Sequence, residues 1–315
     1  MHIPYLSGSD LDGLEISAAD IVDAIERTIL GSQAGWVWAA PKAVVVPPDD
    51  QRYMMAALAA QDNPSLLAVK TVVLNPENSA GGLPQINGLV TMLDSKTGLP
   101  AAILDGNWIT AVRTAGLSAT AAKYLARSDA TTLGFVGCGV QARSHLALFS
   151  ALYPIRRIVY HGRGQSNQSR LAAAAGALNL GARACQSPEE VLAEADIVVT
   201  TVTHTAGTPP FLSAQAMKPG GFAAVVDLAA PWHRDSFGVL DCVAIDDLVQ
   251  EAALPNKLCA PEHVAGDLTG LVSATFVGRT SDAARTAFVF RGHALGDLAL
   301  SVAAISRYRA RQSDA

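Results

Sequence analysis

Thr132-Leu133-Gly134-Phe135-Val136-Gly137-Cys138-Gly139-Val140-Gln141-Ala142 joins a short apolar run to a glycine pair and the start of an amphipathic segment. Thr132 to Val136 has the composition of a buried strand, and Gln141 to Leu152 reads as the helix that follows. In that setting Gly137-x-Gly139-x-x-Ala142 has a mechanical reading: Gly137 permits the tight turn, Gly139 lets a phosphate approach the backbone, and small Ala142 lets helix and strand pack closely. The helix N-terminus then offers unpaired N–H groups and the positive end of its dipole to a pyrophosphate. The expectation is a Rossmann unit with a dinucleotide seated on Gly137, Gly139, Val140 and Gln141.

Downstream, strands and helices alternate. Arg157 to Tyr160, Ile197 to Thr201 and Phe222 to Asp227 read as strands, and Asn167 to Leu178 and Pro188 to Glu194 as helices. Such alternation predicts a parallel sheet covered by helices on both faces. An NAD-selective fold places Asp or Glu ~20 residues after the glycine loop to bind the ribose hydroxyls. Here no Asp or Glu occurs between Asp129 and Glu189, while Arg143, Arg156, Arg157, Arg163, Arg170 and Arg183 do. The second strand ends in Tyr160-His161-Gly162-Arg163, where a guanidinium can pair with a 2'-phosphate. NADP(H) is therefore expected in preference to NAD(H), with His161, Gly162 and Arg163 at that end of the cofactor.

Upstream the texture differs. Ser17 is placed to cap a helix from Ala18 to Leu30, Lys42 to Val46 alternates, and Leu66 to Leu74 is a strand by its Val and Thr content. Gly88 to Asp94 turns at Ser95-Lys96-Thr97-Gly98 into Pro100 to Leu104 as a hairpin would. The first ~105 residues thus read as α+β with mostly antiparallel pairing. Thr110 is placed as N-cap of an Ala-rich helix from Ala111 to Ala126, a bridge between domains. Leu295 to Tyr308 reads as a helix, apolar on one face, that returns to the first domain.

A chain of 315 residues, half of them apolar, is long enough for two domains. The formal net charge of -5, 16% charged residues and absence of a basic run leave no electrostatic footprint for nucleic acid or an anionic membrane. A small-molecule partner is expected. Cys138, Cys185, Cys242 and Cys259 are widely separated without zinc-site spacing, so they read as buried free thiols and no metal is expected. No apolar run reaches the ~18 residues of a membrane span, and the first residues lack a leader pattern, which points to a cytoplasmic protein.

Two cations are out of place. Alternation along Leu66 to Leu74 puts Lys70 on the face of Ala68, Val72 and Leu74, where burial would lower its pKa and fit it for proton transfer near pH 7. An edge strand with that face in water is the alternative. Arg113 falls in the first turn of the helix expected from Ala111, where a cation opposes the dipole unless an anion binds beside it. A substrate carboxylate or cofactor phosphate would be that anion; a surface pair with Asp105 is the alternative.

With these residues in view, the chain resembles the ornithine cyclodeaminase and mu-crystallin family over nearly its whole length. The likeness rests on LLAVKTV around Lys70, LDSKTGLPAAILDGNWITAVRTAGLSATAAKYLA from Leu93 to Ala126, GFVGCGVQARSHL from Gly134 to Leu146, and ADIVVTTVT from Ala195 to Thr203. It implies an α/β protein: a Rossmann dinucleotide-binding domain at 118–292, plus an α+β substrate-binding and dimerisation domain at 1–117 with 293–315. A homodimer is implied. The family's catalytic lysine falls on Lys70 and its carboxylate-binding arginine on Arg113. Thr114 and Gly139-Val140-Gln141 match phosphate-binding positions, and Thr201-Val202 match the loop that passes the riboses. Lys42 stands where the family has a second arginine, and Gln85 where it has a small polar substrate contact.

The resemblance departs at one place. Deaminating members carry an aspartate where this chain has Ala229, and Asp227, two residues earlier, is expected to serve the strand end instead. Ketimine reductases of the family lack that aspartate too. The expected activity is therefore NAD(P)H-dependent reduction of a small cyclic ketimine carboxylate at C2, with Lys70 as proton donor, acting on an imino or amino acid. Amino-acid deamination of the ornithine cyclodeaminase or alanine dehydrogenase type is one rival, and a non-catalytic, crystallin-like NADP-binding protein another. His161 and His293 are expected near the cofactor; His145, His204, His233 and His263 read as surface or loop residues.

Overall fold

A computed structural model describes residues 3–48, 50–203 and 209–313. The chain divides into two units: Met1–Arg113 with His293–Ala315, and Thr114–Gly292. His204 lies outside the described residues.

The first unit is built on a mixed sheet. Its elements run β1 (Tyr5–Leu6), α1 (Gly8–Gly13), α2 (Ala18–Gln33), β2 (Val37–Ala39), β3 (Ala43–Val45), β4 (Tyr53–Asp62), β5 (Ser65–Leu74), β6 (Ile86–Leu93), β7 (Pro100–Asp105) and the start of α3 (Gly106–Leu125), whose residues from Thr114 on belong to the second unit, and the C-terminal helix Ala294–Ser313 joins them. Strand order is β1-β7-β6-β5-β4-β2, with β3 also on β4; every pairing is antiparallel except β1 with β7. Ser17 caps α2 in a capping box with Asp20, as its spacing suggests, and the helix continues to Gln33. Alternation sorts the two faces. Ala57, Lys70, Val90 and Leu104 stand opposite one another across β4, β5, β6 and β7, and all four are buried. On the other face the row Leu58, Val69, Thr91, Ile103 is apolar apart from one hydroxyl and partly open. Because β5 is flanked by β4 and β6, the edge-strand alternative for Lys70 is excluded.

Two sequence expectations about α3 are corrected. The helix starts at Gly106, not after Thr110, because the Asp105 carboxylate accepts from the N–H groups of Asn107 (2.8 Å) and Trp108 (2.9 Å) and so takes the capping role. Arg113 consequently sits in the third turn rather than the first, and the dipole gives it no reason to bind an anion.

The second unit runs β8 (Thr132–Val136), α4 (Val140–Leu152), β9 (Arg157–His161), α5 (Gln165–Ala177), β10 (Gly181–Ala184), α6 (Pro188–Glu194), β11 (Ile197–Thr200), β12 (Phe222–Val225), β13 (Cys242–Ile245), α7 (Leu248–Ala253), β14 (Val264–Asp267), α8 (Leu268–Val272) and β15 (Thr286–Val289). The sheet is wholly parallel in the order β10-β9-β8-β11-β12-β15-β13-β14. From β8 the chain winds one way through β9 and β10, then returns to β11 and winds the other way. This makes the carboxyl ends of β8 and β11 a topological switch point, where α/β sheets bind their ligands. Leu133, Phe135, Ile158, Val199, Phe222, Ala224 and Phe288 are fully buried, as strands covered on both faces require. His145 departs from the surface position expected of it. It is wholly buried on α4, with Nδ1 2.7 Å from the Gln141 carbonyl and Nε2 2.9 Å from Ser118 Oγ on α3, and burial lowers its pKa to about 4.

Candidate active site

In the first unit the register of β5 sends the Lys70 side chain inward, where it is 0% exposed. Its Nζ lies 2.6 Å from Asp297 Oδ1, and Arg113 Nε lies 3.0 Å from the same oxygen. Three elements supply this cluster: β5, α3 and the first turns of the C-terminal helix. Lys42, half-buried just before β3, adds its charge to the field felt by both Lys70 and Asp297. Burial, and then the positive charge of Arg113, lower the Lys70 pKa to about 8, against the opposing pull of Asp297. Asp297 moves below the usual carboxylate range, although burial raises it, because Lys70 and Arg113 together outweigh that burial. An amine that titrates near 8 can give or take a proton in neutral solution.

Asp297 was not anticipated from the sequence. Its signal was an aspartate set among Leu295, Leu298, Ala299 and Leu300, all buried, in a helix read only for its apolar face. Arg113 pairs with this buried residue and not with Asp105, whose carboxylate caps α3 instead. Gln85 precedes β6 and donates its amide to the Pro76 carbonyl at 3.5 Å, so its described contact is with its own loop.

In the second unit a cleft of about 450 Å³ opens at the switch point. Gly137, Gly139, His161, Gly162, Arg163, Thr201 and Val202 line it. Gly137 has φ +95°, and a Cβ there would meet the Thr201 carbonyl oxygen at 2.7 Å, so the turn requires glycine. A Cβ on Gly139 would meet nothing within 4 Å: the backbone there faces open space, at the N-cap of α4. That cradle fits a pyrophosphate. Val140, which is exposed, and Gln141 open α4 and are not among the residues lining the cleft, nor is Thr114, which is buried in α3. Arg143, one turn into α4, donates to the Gly139 carbonyl at 3.2 Å. His161 lines the cleft; the Nδ1 of His293 accepts from the Leu295 N–H at 3.1 Å at the start of the C-terminal helix.

Asp227 serves the strand end. Its carboxylate accepts from Thr200 Oγ1 and from the Val202 N–H, both at 3.0 Å, and Trp232 Nε1 donates to the same threonine at 3.2 Å. Burial outweighs those hydrogen bonds and pushes its pKa up to about 7. Ala229, two residues on, is fully buried with φ +55°. Among the described residues no group of three or more His, Cys, Asp or Glu could hold a metal ion, and the four cysteines are buried and free.

Residues 9–312 match the model of the ornithine cyclodeaminase/mu-crystallin family. The chain is 29% identical to Delta(1)-pyrroline-2-carboxylate reductase of Bacillus cereus over 245 residues, covering 74% of each protein. It is 31% identical to ketimine reductase mu-crystallin of Rattus norvegicus over 218 residues, 68% of this chain and 64% of the rat protein. Among solved structures, Delta(1)-pyrroline-2-carboxylate reductase of Thermococcus litoralis, in complex with NADH and L-proline, superposes with a TM-score of 0.87 at 24% identity over 98% of both chains, a likeness of fold.

Proposed function

The chain belongs to the ornithine cyclodeaminase/mu-crystallin family, and on that premise we propose that it reduces small cyclic ketimine carboxylates of the pyrroline- or piperideine-2-carboxylate type. Membership makes it an NAD(P)-dependent enzyme of C=N and CH–NH chemistry. The observation that carries the finer reading is the buried cluster in which Lys70 and Arg113 share Asp297. A proton donor and an acid-binding guanidinium side by side match an imine whose neighbouring carbon bears a carboxylate.

In this reading Arg113 pairs with the substrate carboxylate, assisted by the field of Lys42, and so fixes the imine relative to Lys70. Lys70, directly or through one water, supplies the proton that keeps the ring nitrogen cationic while the carbon beside it is reduced. The dinucleotide, when bound, supplies the hydride. Gly137, Gly139, His161, Gly162, Arg163, Thr201 and Val202 would hold it. Arg163 at the end of β9 and Arg143 beside the glycine loop favour a 2'-phosphate, so NADP(H) is the preferred cofactor. Reduction is favoured over deamination because Ala229 offers no carboxylate and Asp227 is committed to Thr200 and Val202. The apolar outer face of the first unit's sheet supports a homodimer formed through that unit.

Lys70→Ala tests the assignment: turnover of Δ1-pyrroline-2-carboxylate should fall by about 100-fold or more, the scale of general acid catalysis, with NADPH binding intact by fluorescence titration. Parental turnover in this variant would remove Lys70 from the mechanism, and tighter binding of NADH than of NADPH would refute the cofactor preference.

A further inference from the structure

We propose that Asp297 is the positioning residue of this site: a single carboxylate oxygen locks the Lys70 ammonium and the Arg113 guanidinium into one rigid unit that presents proton donor and carboxylate anchor together. The proposal rests on the reading of Lys70 and Arg113 given above and assigns how they are held. Oδ1 of Asp297 is 2.6 Å from Lys70 Nζ and 3.0 Å from Arg113 Nε, so neither cation can turn without losing the anion that the other also needs. The three groups come from β5, α3 and the C-terminal helix, and each is at least nine-tenths buried. The sharing leaves each cation the donors its task requires. Lys70 commits one of three N–H groups and keeps others for an imine nitrogen or a water. Arg113 stands against Asp297 by its Nε edge as an ion pair without hydrogen-bond geometry, and a substrate carboxylate calls for its Nη fork.

Stability alone does not account for this arrangement, since apolar side chains of similar volume serve a core as well as a buried ion cluster does. One anion among three cations, Lys42, Lys70 and Arg113, also decides the charge of the donor. Burial and Arg113 drive the Lys70 amine toward neutrality, Lys42 adds to that push, and Asp297 is the group that opposes it. Removing the carboxylate at constant shape therefore favours the neutral, proton-poor amine.

Asp297→Asn tests this with two readouts. With the imine as substrate, kcat should fall by about 100-fold, the loss of rate on raising pH should begin at lower pH than in the parent, and NADPH affinity should be unchanged. Parental kcat with a parental pH profile would overturn the proposal. Independently of any substrate, a ¹⁵N NMR titration of the lysine side chains, with Lys70 assigned by its absence in Lys70→Met, should give Lys70 a lower midpoint in the Asn variant; an unchanged midpoint would overturn the proposal as well. A parent protein inactive on every cyclic imine would count against the reductase reading alone, because the NMR titration still decides the role of Asp297. If the Asn variant does not fold, Asp297→Glu keeps the charge and displaces the oxygen. It should lose about tenfold in kcat with the parental pH profile, and full parental kcat in that variant would overturn the positioning role.

Discussion

Lys70 is an amine whose chemistry is set by where its strand puts it. In the proposed mechanism the protonated form is the acid; with its pKa at about 8, the reductive kcat should hold at neutral pH and fall as pH rises through that value. Oxidation of the corresponding cyclic amino acid needs the neutral amine and should rise over the same interval. Measuring both directions from pH 6 to 10 checks the sign, and a reductive rate that stays flat up to pH 9.5 would remove Lys70 as the acid. The residue was legible in the sequence because a period of two leaves a lysine between Ala68 and Val72 no open face once the strand is internal. Arg113 was picked out for a reason that fails, since the true start of α3 takes it away from the helix N-terminus. The anion the structure gives it is a side chain, Asp297. Asp297 stayed hidden because it lies 227 residues from Lys70 in the chain, and no local period reports a contact that only the tertiary fold creates.

The element that carries the cofactor reading is the turn from β8 into α4, and its two glycines answer to different constraints. Gly137 is needed by the fold: its φ of +95° and the 2.7 Å approach of a Cβ to the Thr201 carbonyl mean that Gly137→Ala should destabilise the second unit by more than ~1 kcal/mol. Gly139 is not needed by the fold, and its role is the one proposed for it toward the cofactor. It has φ −78°, which any residue adopts, and open space in front of it, so Gly139→Ala should keep the parental melting temperature while weakening NADPH binding by about tenfold or more through lost backbone approach. Thermal melts and fluorescence titrations of the two variants separate these effects. A Gly139→Ala protein with parental affinity would show that no phosphate approaches that backbone. The turn was readable because its residue types follow from geometry, and β8, β9, β11 and β12 were readable from the alternation around it. β10, β13, β14 and β15 were not. Gly181–Ala184 and Val264–Asp267 carry little β-propensity, while β13 and β15, no longer and no more buried than β11 and β12, are apolar tetrapeptides without a glycine loop beside them to mark them as strands.

For the molecule as a whole, the unresolved demand of the fold is the outer face of the first unit's sheet. One side of β4, β5 and β6 is sealed in the core, whereas on the other Leu58 and Val73 are 39% exposed, Leu89 43% and Val45 61%. Val45, Val73 and Leu89 join Met54, Ala56 and Thr71 along a broad shallow groove, and Leu58 continues the same face of β4. Apolar surface of this extent, contributed by neighbouring strands rather than by scattered residues, is what subunit contacts cover. The sequence hinted at it only through residues that alternation should have made polar and did not, such as Val69 and Val73 opposite the buried set on β5. A homodimer that closes over this face should therefore run at twice the 32.7 kDa chain mass in light scattering, and Leu58→Asp should shift it to the single-chain mass. The substitution costs the folded unit little, since Leu58 already meets water on its own sheet, but in a dimer it would seal an unpaired carboxylate against apolar surface at a cost of roughly several kcal/mol. The variant should thus keep its circular dichroism and its NADPH affinity while losing its partner. A Leu58→Asp protein that remains dimeric would place the contact elsewhere, and a parent already monomeric at micromolar concentration would mean that this face has some other occupant.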